Sequence, residues 1–319
     1  MEILLIGHPV LDQVDSASSS LIGEWGLVLG ETVRRSALEL DALASRFPHR
    51  RLTPGGSAAN TASLLAAHGR RVGLAGLIAD DPAGRLMTRS YDAAGIDLLT
   101  PPQEGAEPTT TALILSTPDG RAATAICVGV TERLTAAHLP DVSPGTGWVF
   151  IEGRVLDQVG AGPLTDYIDH ARGAGASVAF SLSGRREVRL HREVLRKTVT
   201  RCGLVLGTEE EFADLADTGP RALLTGLSSE GTIAVMTRGD LGAVVAEGGG
   251  LRAYPALAPA AVIDTTGAGD AFAAGFLLSA TADGSTDEAM ASATRLASHM
   301  LGHPGGWACN CSMRSVLPG

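Results

Sequence analysis

The sequence predicts an α/β protein with a mainly parallel central sheet, helices on both faces, and a small β-sheet beside it. Three observations carry this. Short apolar runs alternate with Ala-rich or amphipathic segments along most of the chain. Such runs, bounded by Gly and Pro, are the pattern of strands covered on both faces. Two segments, 13–53 and 109–128, break the alternation.

Residues 3–6 (Ile-Leu-Leu-Ile) form a first strand, stopped by Gly7-His8-Pro9. Residues 61–68 are Ala/Leu-rich and end at Gly69, a helix with a glycine stop. A strand at 72–78 and a helix at 82–94, ended by Gly95, follow. Strands at 148–151 and 177–182 alternate with helices at 164–172 and 189–200. Strands at 204–206, 232–236 and 243–246 come next, with a loop tip at Gly248-Gly249-Gly250. Helices at 268–280 and 286–300 close the pattern. Inside the first break, 26–33 is β-like and 36–47 helical. In the second, 109–116 and 122–128 flank Thr117-Pro118-Asp119-Gly120, and Asp-Gly between apolar runs signals a hairpin. These extended pieces form either a small lid or edge strands of the main sheet. There is no internal repeat.

Composition narrows the function. Of 319 residues, 25 are Lys or Arg and 35 are Asp or Glu, a formal charge of −10. That balance argues against a nucleic-acid coat, which needs clustered cations. Hydrophobic residues at 45% and charged residues at 19% fit a packed core rather than disorder. No apolar run reaches the roughly 18 residues of a membrane span, and Met1-Glu2-Ile3 carries no basic leader. The expectation is a cytoplasmic protein with neither membrane nor nucleic acid as partner. Cys127 and Cys202 lie in apolar runs and read as buried small hydrophobes. Cys309 and Cys311 form a lone C-x-C without further ligands nearby, and Asn310-Cys311-Ser312 fits a glycosylation pattern that has no export signal to serve. His8, His68, His138, His170, His191, His299 and His303 show no metal spacing and read as surface or loop residues.

The sharpest segment is Asp264-Thr265-Thr266-Gly267-Ala268-Gly269-Asp270, where a strand-like run opens directly into a helix. N–H groups at such a start are unpaired and, with the helix dipole, make an anion site. Gly267 and Gly269 let a phosphate approach the backbone, and Asp270 puts a carboxylate beside it. That carboxylate can take a proton from an attacking hydroxyl. The chain has no Walker loop, and Phe272 stands where a dinucleotide fingerprint needs its third glycine. A second motif, Gly55-Gly56-Ser57-Ala58-Ala59-Asn60, again pairs glycines with an Ala-rich helix, with Asn60 able to bond a hydroxyl.

Together these residues resemble the PfkB, or ribokinase-like, family of small-molecule kinases, over the whole chain. The resemblance implies a Rossmann-like αβα sandwich over 1–12, 54–108 and 129–319, with a small β lid from 13–53 and 109–128. It implies transfer of the γ-phosphoryl group of ATP to a hydroxyl, a hydroxymethyl by family habit, of a sugar or sugar-like polyol. Asp270 falls on the catalytic base and Gly267, Ala268 and Gly269 on the anion hole. Asp12, Gly55, Gly56, Asn60 and Glu152 fall on substrate contacts, and a carboxylate at position 12 suits sugar hydroxyls. Thr208, Thr237, Gly239, Gly242 and Thr265 fall on the nucleotide side. Glu211 falls on the acid that organises Mg²⁺, through water, and a K⁺ ion near Asp264 is a further option. Two departures stand out. Thr208 replaces the Asn of the family's Asn-x-x-Glu, and Ser181-Leu182-Ser183 lacks an initial Asp. The long insert is similar to the adenosine-kinase-like branch, so a nucleoside kinase is the alternative, with Trp25 and Phe47 as rings for a base. A non-catalytic ligand-binding protein is the second alternative. Family habit adds a homodimer through the lid.

Overall fold

A computed structural model describes residues 1–117 and 121–308. In chain order it begins with β1 (Ile3–Ile6) and then β2 (Val10–Ser16), α1 (Ser19–Glu24), β3 (Thr32–Arg34), α2 (Ala37–Ala44) and β4 (Arg51–Gly55). Next come α3 (Ser57–Ala67), β5 (Val72–Ala75), α4 (Pro82–Ala94), β6 (Ile96–Leu98), β7 (Thr111–Ser116) and β8 (Ala122–Cys127). The following stretch holds β9 (Trp148–Glu152), α5 (Leu156–Val159), α6 (Ala161–Gly173), β10 (Ser177–Ser181), α7 (Arg185–Leu190) and α8 (Arg192–Val199). The chain ends with β11 (Leu204–Thr208), α9 (Glu209–Leu215), α10 (Pro220–Ser229), β12 (Ile233–Thr237), β13 (Ala243–Glu247), β14 (Gly250–Tyr254), α11 (Ala268–Ala280) and α12 (Thr286–Leu301).

Among the described residues, nine strands form the main sheet in the order β14-β13-β12-β11-β10-β9-β1-β5-β6. Pairing is parallel from β12 to β6 and antiparallel only at β13 and β14. Successive side chains point to opposite faces, so each strand feeds two cores. Ile3 and Leu5 pack with α3, α4, α11 and α12, whereas Leu4 and Ile6 pack under α6 to α10. This is the αβα sandwich. A second sheet, β3-β8-β7-β2-β4, has its own core, in which Leu113, Leu115, Ala123 and Ala125 meet Ile22, Leu40, Leu43 and Phe47 from α1 and α2. The broken segments therefore form a separate sheet and not edge strands of the main one.

Several local expectations change. Only Thr32 and Val33 of the β-like run 26–33 are strand, in β3, because Gly26 and Gly30 take φ of +64° and +85° and turn the chain first. The helix at 189–200 is two helices, broken at His191 with φ −113° and ψ 21°. The strand at 72–78 ends at Ala75, and Gly250 opens β14 rather than a loop tip. β7 and β8 pair antiparallel as a hairpin, but its tip Pro118-Asp119-Gly120 lies outside the described residues, as do Cys309, Asn310 and Cys311. Cys127 and Cys202 are buried and free; burial pushes the Cys202 thiol up to about 12, which leaves it inert. Trp307 packs its ring on the buried Tyr91, centroids 5.7 Å apart. No helix among the described residues is long and apolar enough to cross a membrane.

Candidate active site

Strand order reverses around β1: β5 and β6 lie to one side, and β9 to β12 were laid down on the other. A crevice opens outside the carboxyl ends of the strands at such a point. Glu152, Thr208 and Thr237 are the last residues of β9, β11 and β12, so all three sit on that rim. The amino ends of α3 and α11 join them there.

Helix α11 starts at a tight turn. Gly267 caps it with φ +77°, and a Cβ there would overlap the Gly306 backbone. Asp264 secures the turn from both sides, accepting Thr266 N–H at 2.9 Å and Gly305 N–H at 2.8 Å. Ala268 N–H reaches Thr265 O at 3.3 Å, and Ala271 N–H reaches Gly267 O at 2.8 Å. Among the described residues no acceptor meets the N–H groups of Gly269 and Asp270. The N–H of Gly267 is likewise without an acceptor among them, so within the expected anion cradle only Ala268 N–H is engaged. Thr265 turns its side chain to solvent and contributes its carbonyl instead.

The Asp270 carboxylate is clasped by α3. Ser57 Oγ donates to Oδ1 at 2.5 Å and Asn60 Nδ2 to Oδ2 at 2.8 Å. Burial raises this carboxyl to about 6, the Ser57 and Asn60 bonds hold it down, and Glu152, ending β9, and Arg154, in the turn after it, act in opposite senses. A carboxyl poised near 6 is ionised at neutral pH yet more basic than a free Asp. Asn60 is 4% exposed, and its Oδ1 is a buried acceptor with no partner. Asp12 also enters this space. Burial, then the charges of Asp270 and Asp264, push its carboxyl up to about 7. Gly55 touches it so closely that a Cβ would overlap the carboxylate, while Gly56 has φ +92° and leaves no room for one beside the His8 carbonyl. Both glycines are therefore required sterically.

Glu152 is 3% exposed and held by a set that sequence reasoning missed. His8 is 8% exposed, not a surface residue: its N–H donates to Glu152 Oε2 at 3.2 Å, and its ring bonds Gln158 at 3.0 Å. Burial would raise Glu152, but the His8 bonds and charge and the Arg154 guanidinium, 3.5 Å away, outweigh it and hold the carboxyl below its usual range. Ser183, in a left-handed conformation at φ +63°, accepts Gly153 N–H at 2.9 Å and takes Arg154 on its carbonyl at 3.1 Å.

The residues expected on the nucleotide side form a second group at the ends of β11 and β12. Thr208 caps α9: its hydroxyl accepts Glu211 N–H at 3.2 Å, and Glu211 Oε2 accepts Thr208 N–H at 2.7 Å. Burial raises the Glu211 carboxyl despite that bond. Thr237 donates to Gly207 O at 3.3 Å, and Arg238 reaches Glu209 at 3.2 Å. Gly239 and Gly242 turn the loop with φ of +59° and +84°. Among the described residues no set of three or more His, Cys, Asp or Glu could hold a metal ion.

Comparison with known proteins agrees with this geometry. The family model for pfkB family carbohydrate kinases matches residues 26–312. A cytidine kinase of Thermococcus kodakarensis is 28% identical over 246 residues, 72% of this chain and 82% of that one. A fructokinase of Klebsiella pneumoniae is 28% identical over 257 residues, 76% of this chain and 82% of that one. The crystal structure of adenosine kinase from Sinorhizobium meliloti superposes with a TM-score of 0.88 at 26% identity, covering 98% of this chain and 97% of that one. A clasped carboxylate at a helix start, two required glycines and a ribokinase-like sandwich with a second small sheet thus coincide with a family match over most of the sequence: the chain belongs to the pfkB family of carbohydrate kinases and is a phosphotransferase.

Proposed function

We propose that this protein transfers the γ-phosphoryl group of ATP to a hydroxyl of a sugar or sugar-like polyol, with Asp270 as general base. The observation that supports it best is the Asp270 carboxylate, raised to about 6 and fixed beside the unpaired N–H groups of Gly269 and Asp270. The acceptor's hydroxyl gives its proton to Asp270 while those N–H groups take the charge that develops on the phosphoryl oxygens. Asp12 and the unpartnered Oδ1 of Asn60 receive other hydroxyls of the acceptor. Thr208, Thr237, Gly239 and Gly242 line the ATP side. Glu211 already accepts a backbone N–H, which suits holding a hydrated Mg²⁺ through its waters rather than directly. That ion, when bound, neutralises charge on the transferring phosphates. A K⁺ site stays with Asp264, whose two oxygens each accept only one N–H.

A sugar is favoured over a nucleoside because both candidate stacking rings are occupied. Phe47 is 6% exposed within the small-sheet core, and Trp25 packs against it with Arg46 over its ring at 5.6 Å. ADP release with fructose, ribose, cytidine and adenosine tests this; turnover of adenosine with the sugars inert would overturn it. Asp270→Asn is expected to lower kcat by about 10²–10⁴ with ATP binding kept. Near-normal turnover in that variant would remove Asp270 from the role.

A further inference from the structure

Helix α3 grips Asp270 with one face. Ser57, its first residue, donates to Oδ1, and Asn60 donates to Oδ2. Thr61 adds its hydroxyl to Ser57 O at 2.9 Å and to Asp270 O at 3.4 Å. Residues at i, i+3 and i+4 lie above one another on a helix, so carboxylate and backbone of Asp270 are held by a single rigid surface. A Cβ at Gly56 would overlap the His8 carbonyl and one at Gly306 the Asn60 amide, so this surface is closely packed on both sides.

We infer that Ser57 is a positioning residue for phosphoryl transfer: its hydroxyl fixes the plane of the Asp270 carboxylate and stabilises its negative charge, leaving a lone pair on each oxygen for the acceptor's hydroxyl. The inference rests on Asp270 being the base. An ionised carboxylate offers about four lone-pair sites, so two donors do not fill it. Ser57 opposes the burial that raises Asp270, as does Asn60. The charged groups facing Asp270 are Glu152 at the end of β9, Arg154 in the turn after it and Asp12 on β2, and a change at Ser57 leaves all three in place.

Removing one bond to a charged carboxylate raises its titration by about one pH unit. With the acid limb moved from about 6 to about 7, Ser57→Ala should lose about fivefold more rate at pH 6 and about twofold more at pH 7 than at pH 8.5, where only the loss of orientation acts. A merely structural fault lowers the rate by the same factor at every pH. The first measurement needs no acceptor: the carboxyl carbon of Asp270, labelled with ¹³C and assigned by its loss in Asp270→Asn, is titrated in the unliganded protein. The second is the pH profile of ADP release with whichever of fructose, ribose, cytidine or adenosine turns over. Ser57→Thr keeps the hydroxyl and should keep the wild-type titration. Ser57→Cys, a weaker donor of similar shape, should give an intermediate shift, and it carries the test if the alanine variant does not fold. An Asp270 titration unchanged in Ser57→Ala or Ser57→Cys overturns the inference. Failure of the underlying reading looks different: Asp270→Asn would then turn over normally, whatever the Ser57 variants do.

Discussion

Asp12 and Asp270 are two carboxyls raised by burial, to about 7 and about 6, and the charge of Asp270 adds to the cost of ionising Asp12. A carboxyl whose folded value lies above its unfolded value binds a proton that the unfolded chain does not. Its contribution to stability is complete below the unfolded value near 4 and is lost as pH rises through 6 and 7. The unliganded protein should therefore melt a few degrees higher at pH 5 than at pH 8, and Asp12→Asn should flatten that slope. Melting curves of both at pH 5, 6.5 and 8 check this; equal slopes would show that Asp12 does not titrate in that window. Asp12→Ala should also weaken acceptor binding by about 1.5–3 kcal/mol, the worth of a bond to a charged group, read as a higher KM with kcat nearly kept. The reach of sequence reading is clear at this scale. Asp270, Gly267 and Gly55 were legible because local spacing alone gives a helix start and close approach. Ser57 on Asp270 joins residues 213 positions apart, and His8 on Glu152 joins residues 144 apart. A single sequence carries no local signal for either contact.

Thr208 shows how an element can explain a departure in one residue. Where the resemblance leads one to expect Asn, this chain has a Thr that closes a reciprocal capping box with Glu211 at the start of α9. Asn is also a good N-cap, so Thr208→Asn should keep stability, whereas Thr208→Ala should cost about 1 kcal/mol and lower Tm. Thermal melts of the pair decide it: an alanine variant as stable as wild type would mean the cap contributes nothing. Helix α9 itself was not legible in the sequence. Glu209-Glu210-Glu211 offers no apolar periodicity, yet three acids in a first turn suit the positive end of the helix dipole. β2 and β4 were hidden for the opposite reason. Both carry polar residues amid the apolar ones, and only pairing with β7 and with each other makes them strands. The inner main strands were plain because burial on both faces makes them apolar, whereas the edge strands β6 and β14, with polar and exposed residues, were not.

At the scale of the molecule, the second sheet is a unit with its own core, and β2 and β4 run from it straight into the site. Asp12 lies within β2, while Gly55 ends β4 and Gly56 leads into α3. Transfer to an alcohol competes with transfer to water, so solvent must leave before Asp270 acts. A small body joined through these strands can exclude it by rotating about residues 12–14 and 53–56, and Gly56 tolerates backbone angles that other residues resist. The proposed lid, residues 13–53 and 109–128, then closes over the acceptor. Acceptor binding should slow amide exchange in β2, β3, β7 and β8, whereas ATP alone should protect mainly 237–242 and 264–270. We propose that, if two copies pair, they do so through the half-buried face of this sheet, with Val14, Ile114 and Ile126. Pairing would protect the same amides without any ligand, so the exchange is measured on protein shown to be monomeric by sedimentation. Exchange in β2, β3, β7 and β8 that acceptor leaves unchanged in the monomer would sink the lid assignment, because a sheet that never closes cannot keep water from the phosphoryl group.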